Sequence, residues 1–272
     1  MVSEIKMKYG NYRHALIWEG AIHEEPELSE VEAMTLINNS SSWMLRNLYN
    51  FDCPEETNFW YIIKDSYSEA DYSKKVRKYI EKANTKFEIR RISRNRMIKQ
   101  GFDVYEKAHR HYKVNDGFQM NKTGFLEELS SMSDSEYEFW GCIDRDTGIL
   151  QAYSICHVHD GMCWFKYSRV NPEFLPKFYP MYGLYDARNK YYIAEQKLKY
   201  VLTSARSITA HSEIQSFLIE KFGFRKAYCN LKIYYKPWLR LLINMAFPFR
   251  KYMPISPIKN LLAFEALNRG LN

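Results

Sequence analysis

The sequence predicts an α/β (α+β) fold in which a mixed sheet containing an antiparallel meander is flanked by helices. Three observations predict it. Residues Glu136–Asp144, Ile149–His159 and Met162–Val170 are consecutive runs rich in Phe, Trp, Tyr, Ile, Val and Cys, which suit a pleated, half-buried surface. Between them stand Arg145-Asp146-Thr147-Gly148 and Asp160-Gly161. Asp-Gly between two such runs is a strong hairpin signal, because a type I′ turn needs φ > 0 at both central positions. After the meander, apolar stretches with helical spacing alternate with β-rich ones, and the same alternation runs through the first 115 residues.

From the start, Tyr9, Tyr12, Leu16, Ile17 and Trp18 mark a strand. Ser29-x-x-Glu32 is a capping box, in which hydroxyl and carboxylate each satisfy the other residue's amide, and it opens a helix with Val31, Met34 and Ile37 on one face. Asn38-Asn39-Ser40-Ser41-Ser42 ends it, Asp52–Thr57 reads as a loop around Pro54, and Asn58–Asp65 reads as a buried strand. Asp71 or Ser73 caps a helix through Ala83 with Val76, Tyr79, Ile80 and Ala83 inward. Phe87–Ile92 alternates as a strand, and Asn95–Tyr112 is helical along Met97, Ile98, Phe102, Tyr105 and Ala108. A loop with Asn115-Asp116-Gly117 precedes a short helix near Thr123–Ser131. Past Val170, three prolines (Pro172, Pro176, Pro180) exclude a regular helix or central strand from Asn171 to Pro180. Leu184–Leu198 then reads as helix, Tyr200–Ile208 as strand, Ser212–Phe222 as helix and Arg225–Tyr235 as strand. In the tail, Trp238–Phe249 with its flanking Arg and Lys is a helix expected to pack on the domain, a membrane interface being the alternative, and a last helix covers Pro257–Asn268. The expected organisation is two halves, residues 1–115 and 116–272.

Composition bounds the function classes. With 46% apolar residues in 272 the chain can build a substantial core, and 16% aromatics, 22 of the residues being Tyr, point to aromatic-lined grooves. Five scattered cysteines without a Cys-x-x-Cys read as buried reduced thiols, and no metal ligand set is predicted. No apolar leader and no run near the ~18 residues of a spanning helix is visible, so a cytoplasmic location is expected. The net charge of +7 has one source: from Lys74 to Lys99 there are eleven Lys/Arg against Glu81 and Glu88. This segment, 74–99, reads first as a solvated face, and its functional alternative is an anionic partner: tRNA, a phosphorylated cofactor or a membrane surface.

The order of meander, irregular loop, helix, strand, helix ending Gly223-Phe224, and final strand resembles the C-terminal part of the GNAT acyltransferase fold. Ser212-Glu-Ile-Gln-Ser-Phe-Leu-Ile-Glu-Lys-Phe-Gly-Phe-Arg-Lys-Ala-Tyr228 is similar to that family's last helix and the turn into its final strands. The upstream basic helix and Phe59-Trp60-Tyr61 resemble the first domain of the Fem-type peptidoglycan-bridge transferases, which carry two GNAT-like domains. The resemblance implies acyl transfer from acyl-CoA (acetyl-CoA) as co-substrate to an amine or hydroxyl of a small-molecule or peptide acceptor. Its Fem-type branch implies an aminoacyl-tRNA donor instead, and a non-catalytic member would bind a ligand or partner. In such a site the fourth strand parts from the fifth and its free amides align the donor, while the next helix N-terminus holds the pyrophosphate. Mapped here, these are Tyr167, Ser168, Arg169 and Val170, followed by Gly183 and Arg188. The family's glycine-rich phosphate loop is absent, since Pro176–Asp186 holds a single glycine, and the position of its frequent general-acid Tyr is Ile219.

Candidate catalytic residues are His157 and His159, which share a strand face at i, i+2, and Tyr185 at the start of the post-loop helix. Lys166 and Ser168 are read together as lining the acyl groove, and Asp186 as a carboxylate compensating a helix start. Ser204, Ser207, His211 and Glu213 have the composition of a hydrolase set but no nucleophile elbow to support it.

Overall fold

The computed structural model describes residues 8–12, 14–112, 120–206 and 213–271. Its strands are β1 (Tyr9–Tyr12), β2 (Ala15–Trp18), β3 (Met44–Cys53), β4 (Phe59–Lys64), β5 (Phe87–Ile92), β6 (Tyr137–Asp144), β7 (Leu150–His159), β8 (Met162–Val170), β9 (Tyr200–Ala205) and β10 (Arg225–Tyr235). The principal helices are α1 (Glu30–Asn38), α2 (Lys74–Lys86), α3 (Phe102–Tyr112), α4 (Lys122–Ser131), α5 (Pro180–Asn189), α6 (Glu213–Phe222), α7 (Pro237–Ala246) and α8 (Ser256–Asn268). The chain forms two units, one of residues 1–62, 204–215 and 226–272, the other of residues 63–203 and 216–225.

In the first unit the strands run in the order β1-β2-β3-β10-β4. The capping box is present: Ser29 N donates to Glu32 Oε2 at 2.9 Å and Ser29 Oγ accepts from Glu32 N at 3.3 Å. The buried face of α1 is Ala33, Leu36 and Ile37, set against Leu16, Leu45 and Tyr234. Val31, expected inward, is 77% exposed, and the buried stripe runs through Ala33, Leu36 and Ile37 instead. Sequence patterning also passed over β3. Its inward position Asn47 is fully buried, and a polar residue there breaks the apolar alternation.

Asn47 belongs to a closed network. Its amide donates to Pro26 O at 2.8 Å and Glu25 Oε1 at 3.0 Å, and its oxygen accepts from Leu28 N at 3.0 Å. Glu25 also accepts from Leu48 N at 2.9 Å and from the Tyr9 hydroxyl at 3.1 Å. Burial, opposed by these bonds, raises the Glu25 carboxyl to about 7. The folded state therefore holds this proton more tightly than the unfolded chain does. The group's contribution to stability is complete below the unfolded value of about 4.3 and is lost as the pH rises to about 7. Between pH 4 and pH 8 this group alone is expected to remove roughly 3 kcal/mol. Glu25→Gln keeps the acceptor oxygen and should abolish that part of the slope. Urea unfolding of both proteins across this range checks it, and parallel pH profiles would refute it.

The second unit has the strand order β9-β8-β7-β6-β5. Asp160 (φ 47°) and Gly161 (φ 77°) make the predicted turn between β7 and β8. Ser73 caps α2, its hydroxyl accepting from Val76 N at 3.3 Å. On one sheet face Val104 and Tyr105 of α3, with Phe125 and Leu129 of α4, pack on Phe139, Tyr153 and Ile155. The other face carries α2 and α5. The prolines after β8 permit more helix than expected: Pro172 opens a 3₁₀ turn, and α5 starts at Pro180, four residues ahead of Leu184. Proline is tolerated at the first helical position because that N–H has no intrahelical partner. The helix expected to reach Leu198 closes instead in a wide turn, Lys190–Glu195. All five cysteines are buried free thiols.

Candidate active site

The site is organised by an irregularity in β8. Up to Cys156–Phe165 each residue of β7 faces one of β8, but the next pair is Ile155–Tyr167, which leaves Lys166 unopposed. Such a bulge bends a strand and increases its twist. On its other side β8 runs parallel to β9 for three pairs, Met162–Tyr200, Cys163–Val201 and Trp164–Leu202, and the register stops there. The β8–β9 pairing ends just before the bulge begins. Among the described residues, positions 165–170 of β8 thus have no strand partner on the β9 side.

The bulge also decides which side chains meet. Ser154 faces Ser168, and both lie on the face covered by α5. There Arg188, fully buried, donates from Nε to Leu184 O at 3.0 Å and from Nη1 to Ser154 Oγ and, at 3.4 Å, Ser168 Oγ. Its guanidinium lies against the Phe165 and Tyr185 rings, at 4.0 and 4.6 Å. It forms no ion pair among the described residues, and Nη2 has no hydrogen-bond partner there. Tyr185 is enclosed by Phe165, Phe217, Phe222 and Phe224, and burial raises its hydroxyl above the ordinary tyrosine value, so it is a neutral phenol.

The opposite face carries the histidines. The His157 ring stacks on Tyr137 at 4.4 Å and meets His159 at 4.2 Å, and its Nε2 is 3.4 Å from Glu136 Oε2. His159 Nδ1 lies 3.3 Å from Asp160 Oδ2. Burial, then the adjacent His159, hold His157 below the ordinary histidine range, so it is uncharged at neutral pH and can accept a proton. Lys166, on the bulge, reaches the Tyr137 hydroxyl at 3.4 Å. Tyr167 and Arg169 lie on this side too, the Arg169 guanidinium over the Tyr105 and Tyr167 rings. Val170 is buried opposite Ala152. Lys166 and Ser168, read together from the sequence, are therefore on different faces.

No family model matches the sequence, and no curated protein matches it. Solved structures do. FemX matches with a TM-score of 0.54 at 9% identity, over 78% of this chain and 77% of its own. The C-terminal domain of a putative lysylphosphatidylglycerol synthetase from Agrobacterium fabrum matches at 0.54 with 8% identity, over 81% and 78%. L-PGS from Bacillus licheniformis matches at 0.52 with 11% identity, over 96% and 85%. The fold is GNAT-like, of the Fem-like kind. At these identities the likeness is one of fold.

In a GNAT-like fold the connection after the splayed strand would cradle the pyrophosphate of coenzyme A. Here Phe174 and Phe178 of that connection pack on Phe87, and Tyr179, in the left-handed region at φ 54°, stacks on Tyr79 at 3.8 Å. An aromatic plug of this kind does not fit a pyrophosphate. Gly183 lies inside α5, where an added Cβ would stand 2.3 Å from Ile89 Cδ1 and 2.8 Å from Ala83 Cβ. It lets α2 and α5 approach, which is its evident task.

The basic segment divides into two. Lys86 pairs with Asp144 and Asp146, Arg90 with Glu88, Arg91 with Glu138 and Arg94 with Asp134. These charges serve the fold. Lys74, Lys75, Arg77, Lys78 and Lys82 of α2 are exposed and make no ion pair among the described residues. Three of them edge a groove of about 880 Å³ whose wall includes Tyr72 and Asp186. Asp186 accepts from the Tyr67 hydroxyl at 2.8 Å, and burial raises its carboxyl above the ordinary aspartate value. Sequence reasoning missed Tyr67, Tyr72, Tyr137 and Ser154, each of which gains its place through long-range pairing. Ser207 and His211 lie outside the described residues, as does the Asn115-Asp116-Gly117 loop.

Proposed function

We propose that the chain transfers an acyl group from an aminoacyl-tRNA, holding the donor's ester carbonyl against the open edge of β8. The observation that carries this reading is the end of β8–β9 pairing at Trp164–Leu202, beyond which β8 stays paired with β7 but pairs with no strand on its other side among the described residues. Backbone amides held in place this way stabilise the charge that develops on a carbonyl oxygen without reorganising. An amine or hydroxyl of a small-molecule or peptide acceptor attacks the carbonyl carbon. His157 takes its proton, and the ribose oxygen of the tRNA departs and is reprotonated as the tetrahedral intermediate collapses. Lys166, one face-neighbour away, adds positive charge near the developing oxyanion.

Two observations favour tRNA over acyl-CoA as donor. The connection after β8 is an aromatic plug instead of a phosphate cradle. The first turn of α2 carries Lys74 and Lys75, against the direction its own dipole favours, and no acid offsets them there. The name lysylphosphatidylglycerol synthetase, borne by one of the structural neighbours, denotes a product of aminoacyl transfer.

Filter binding with bulk aminoacylated tRNA, alongside thermal shift with acetyl-CoA, tests the proposal. Retention of the tRNA and an unchanged melting temperature at roughly millimolar acetyl-CoA are expected. A rise with acetyl-CoA and no tRNA retention would establish the acyl-CoA reading instead. Failure of both would leave a non-catalytic ligand-binding role.

A further inference from the structure

Helix α7 and the 3₁₀ turn after it, Phe247–Tyr252, have two apolar stripes where a surface helix has one. The first is ordinary: Leu239, Ile243 and Phe247 pack on Ile233, Tyr235 and Leu262. The second consists of Trp238, Leu241, Leu242, Met245, Phe249 and Tyr252, which recur at helical spacing and all lie on the surface, Leu241 at 61% and Met245 at 55% exposure. Trp43, also exposed, extends the stripe by meeting Trp238 edge-on at 5.5 Å. An exposed apolar patch of this continuity marks an interaction surface.

Charge identifies the partner. From Lys236 to Tyr252 the chain carries Lys236, Arg240, Arg250 and Lys251 and no Asp or Glu. Arg240 pairs with Glu30, whereas Lys236, Arg250 and Lys251 make no ion pair among the described residues. An apolar stripe with Trp and Tyr among its members and cations beside it has the chemistry of a helix lying in the plane of an anionic lipid surface. A second copy of the chain fits poorly, since a two-fold contact would set these cations against themselves. No helix among the described residues is long and apolar enough to cross a membrane, so contact would be with one leaflet.

We infer that the α7 face docks on the surface of a membrane containing anionic phospholipid. This surface is independent of the proposed reaction. Flotation of the full chain with phosphatidylcholine vesicles, with or without phosphatidylserine, tests it. The protein should float with the anionic vesicles, less with phosphatidylcholine alone, and Leu241→Glu/Met245→Glu should reduce flotation by about tenfold or more. Both side chains are exposed, so circular dichroism and melting temperature should not change. Wild-type protein left in the aqueous fraction at low salt would overturn the inference, as would a double variant that floats like wild type. A dimer in light scattering that the double variant splits, with no flotation, would assign the face to a second copy and overturn it too.

Discussion

Arg188→Ala is expected to lower the unfolding free energy by about 3–5 kcal/mol, whereas Arg188→Met should stay within about 1 kcal/mol of wild type or exceed it. The contrast follows from the surroundings of the guanidinium. Arg188 is fully buried and pairs with no carboxylate among the described residues; its charge is balanced by Leu184 O, two serine hydroxyls and two ring faces. Truncation to alanine removes all of these interactions and leaves a large cavity between α5 and the sheet. Methionine refills most of that volume with no charge to desolvate. The serines do not lose their partners, because Ser168 Oγ donates to Ser154 Oγ at 3.1 Å and Ser154 Oγ donates to Tyr167 O at 2.9 Å. Urea unfolding of the three proteins decides the matter, and equal losses for both variants would show that the guanidinium's hydrogen bonds are indispensable to the fold. If the buried cation serves transfer as well, Arg188→Met will be folded and slow.

Why the sequence led to Ser168 and Arg188 separately, and not to their contact, is a matter of register. The Asp160-Gly161 turn fixes the pairing near the hairpin end, where His157 faces Trp164 as simple counting requires. Continued without interruption, that counting would oppose Ser154 to Tyr167. The extra residue at Lys166 shifts it by one, so that Ser168 turns toward Arg188 and Tyr167 turns away. Strand existence is written locally in β-branched and aromatic residues, but a bulge depends on what packs on both faces. The same distinction explains Asn47, whose buried amide disguised β3, and Gly183, whose reason for being glycine is Ala83 on a helix a hundred residues earlier. Hairpin turns, helix caps and most helix stripes were legible because each depends on residues within four positions. Which cations remain available was not, since Lys86, Arg91 and Arg94 find their acids through the tertiary fold.

That sorting of charges sets the second large effect. Replacing Lys74, Lys75, Arg77 and Lys78 by Gln should weaken tRNA binding at physiological salt by roughly two to three orders of magnitude and flatten the slope of log K against log salt by about 3. Each phosphate neutralised by a cation releases condensed counterions, and abolishing four such neutralisations together accounts for a change of that size. The fold should not suffer, because the buried positions of α2 are Val76, Ile80 and Ala83 and the four cations all point to solvent. Relieving the unfavourable charge at the helix start should raise the melting temperature slightly. Replacing the paired arginines Arg91 and Arg94 makes the control: those changes disturb the ion pairs with Glu138 and Asp134 and should reduce stability more than they change the salt slope. Should the slope respond equally to both sets, the anion would be bound by the segment's overall field. A slope unmoved by the α2 replacements would place the tRNA elsewhere and remove one of the two observations that favour an aminoacyl-tRNA donor.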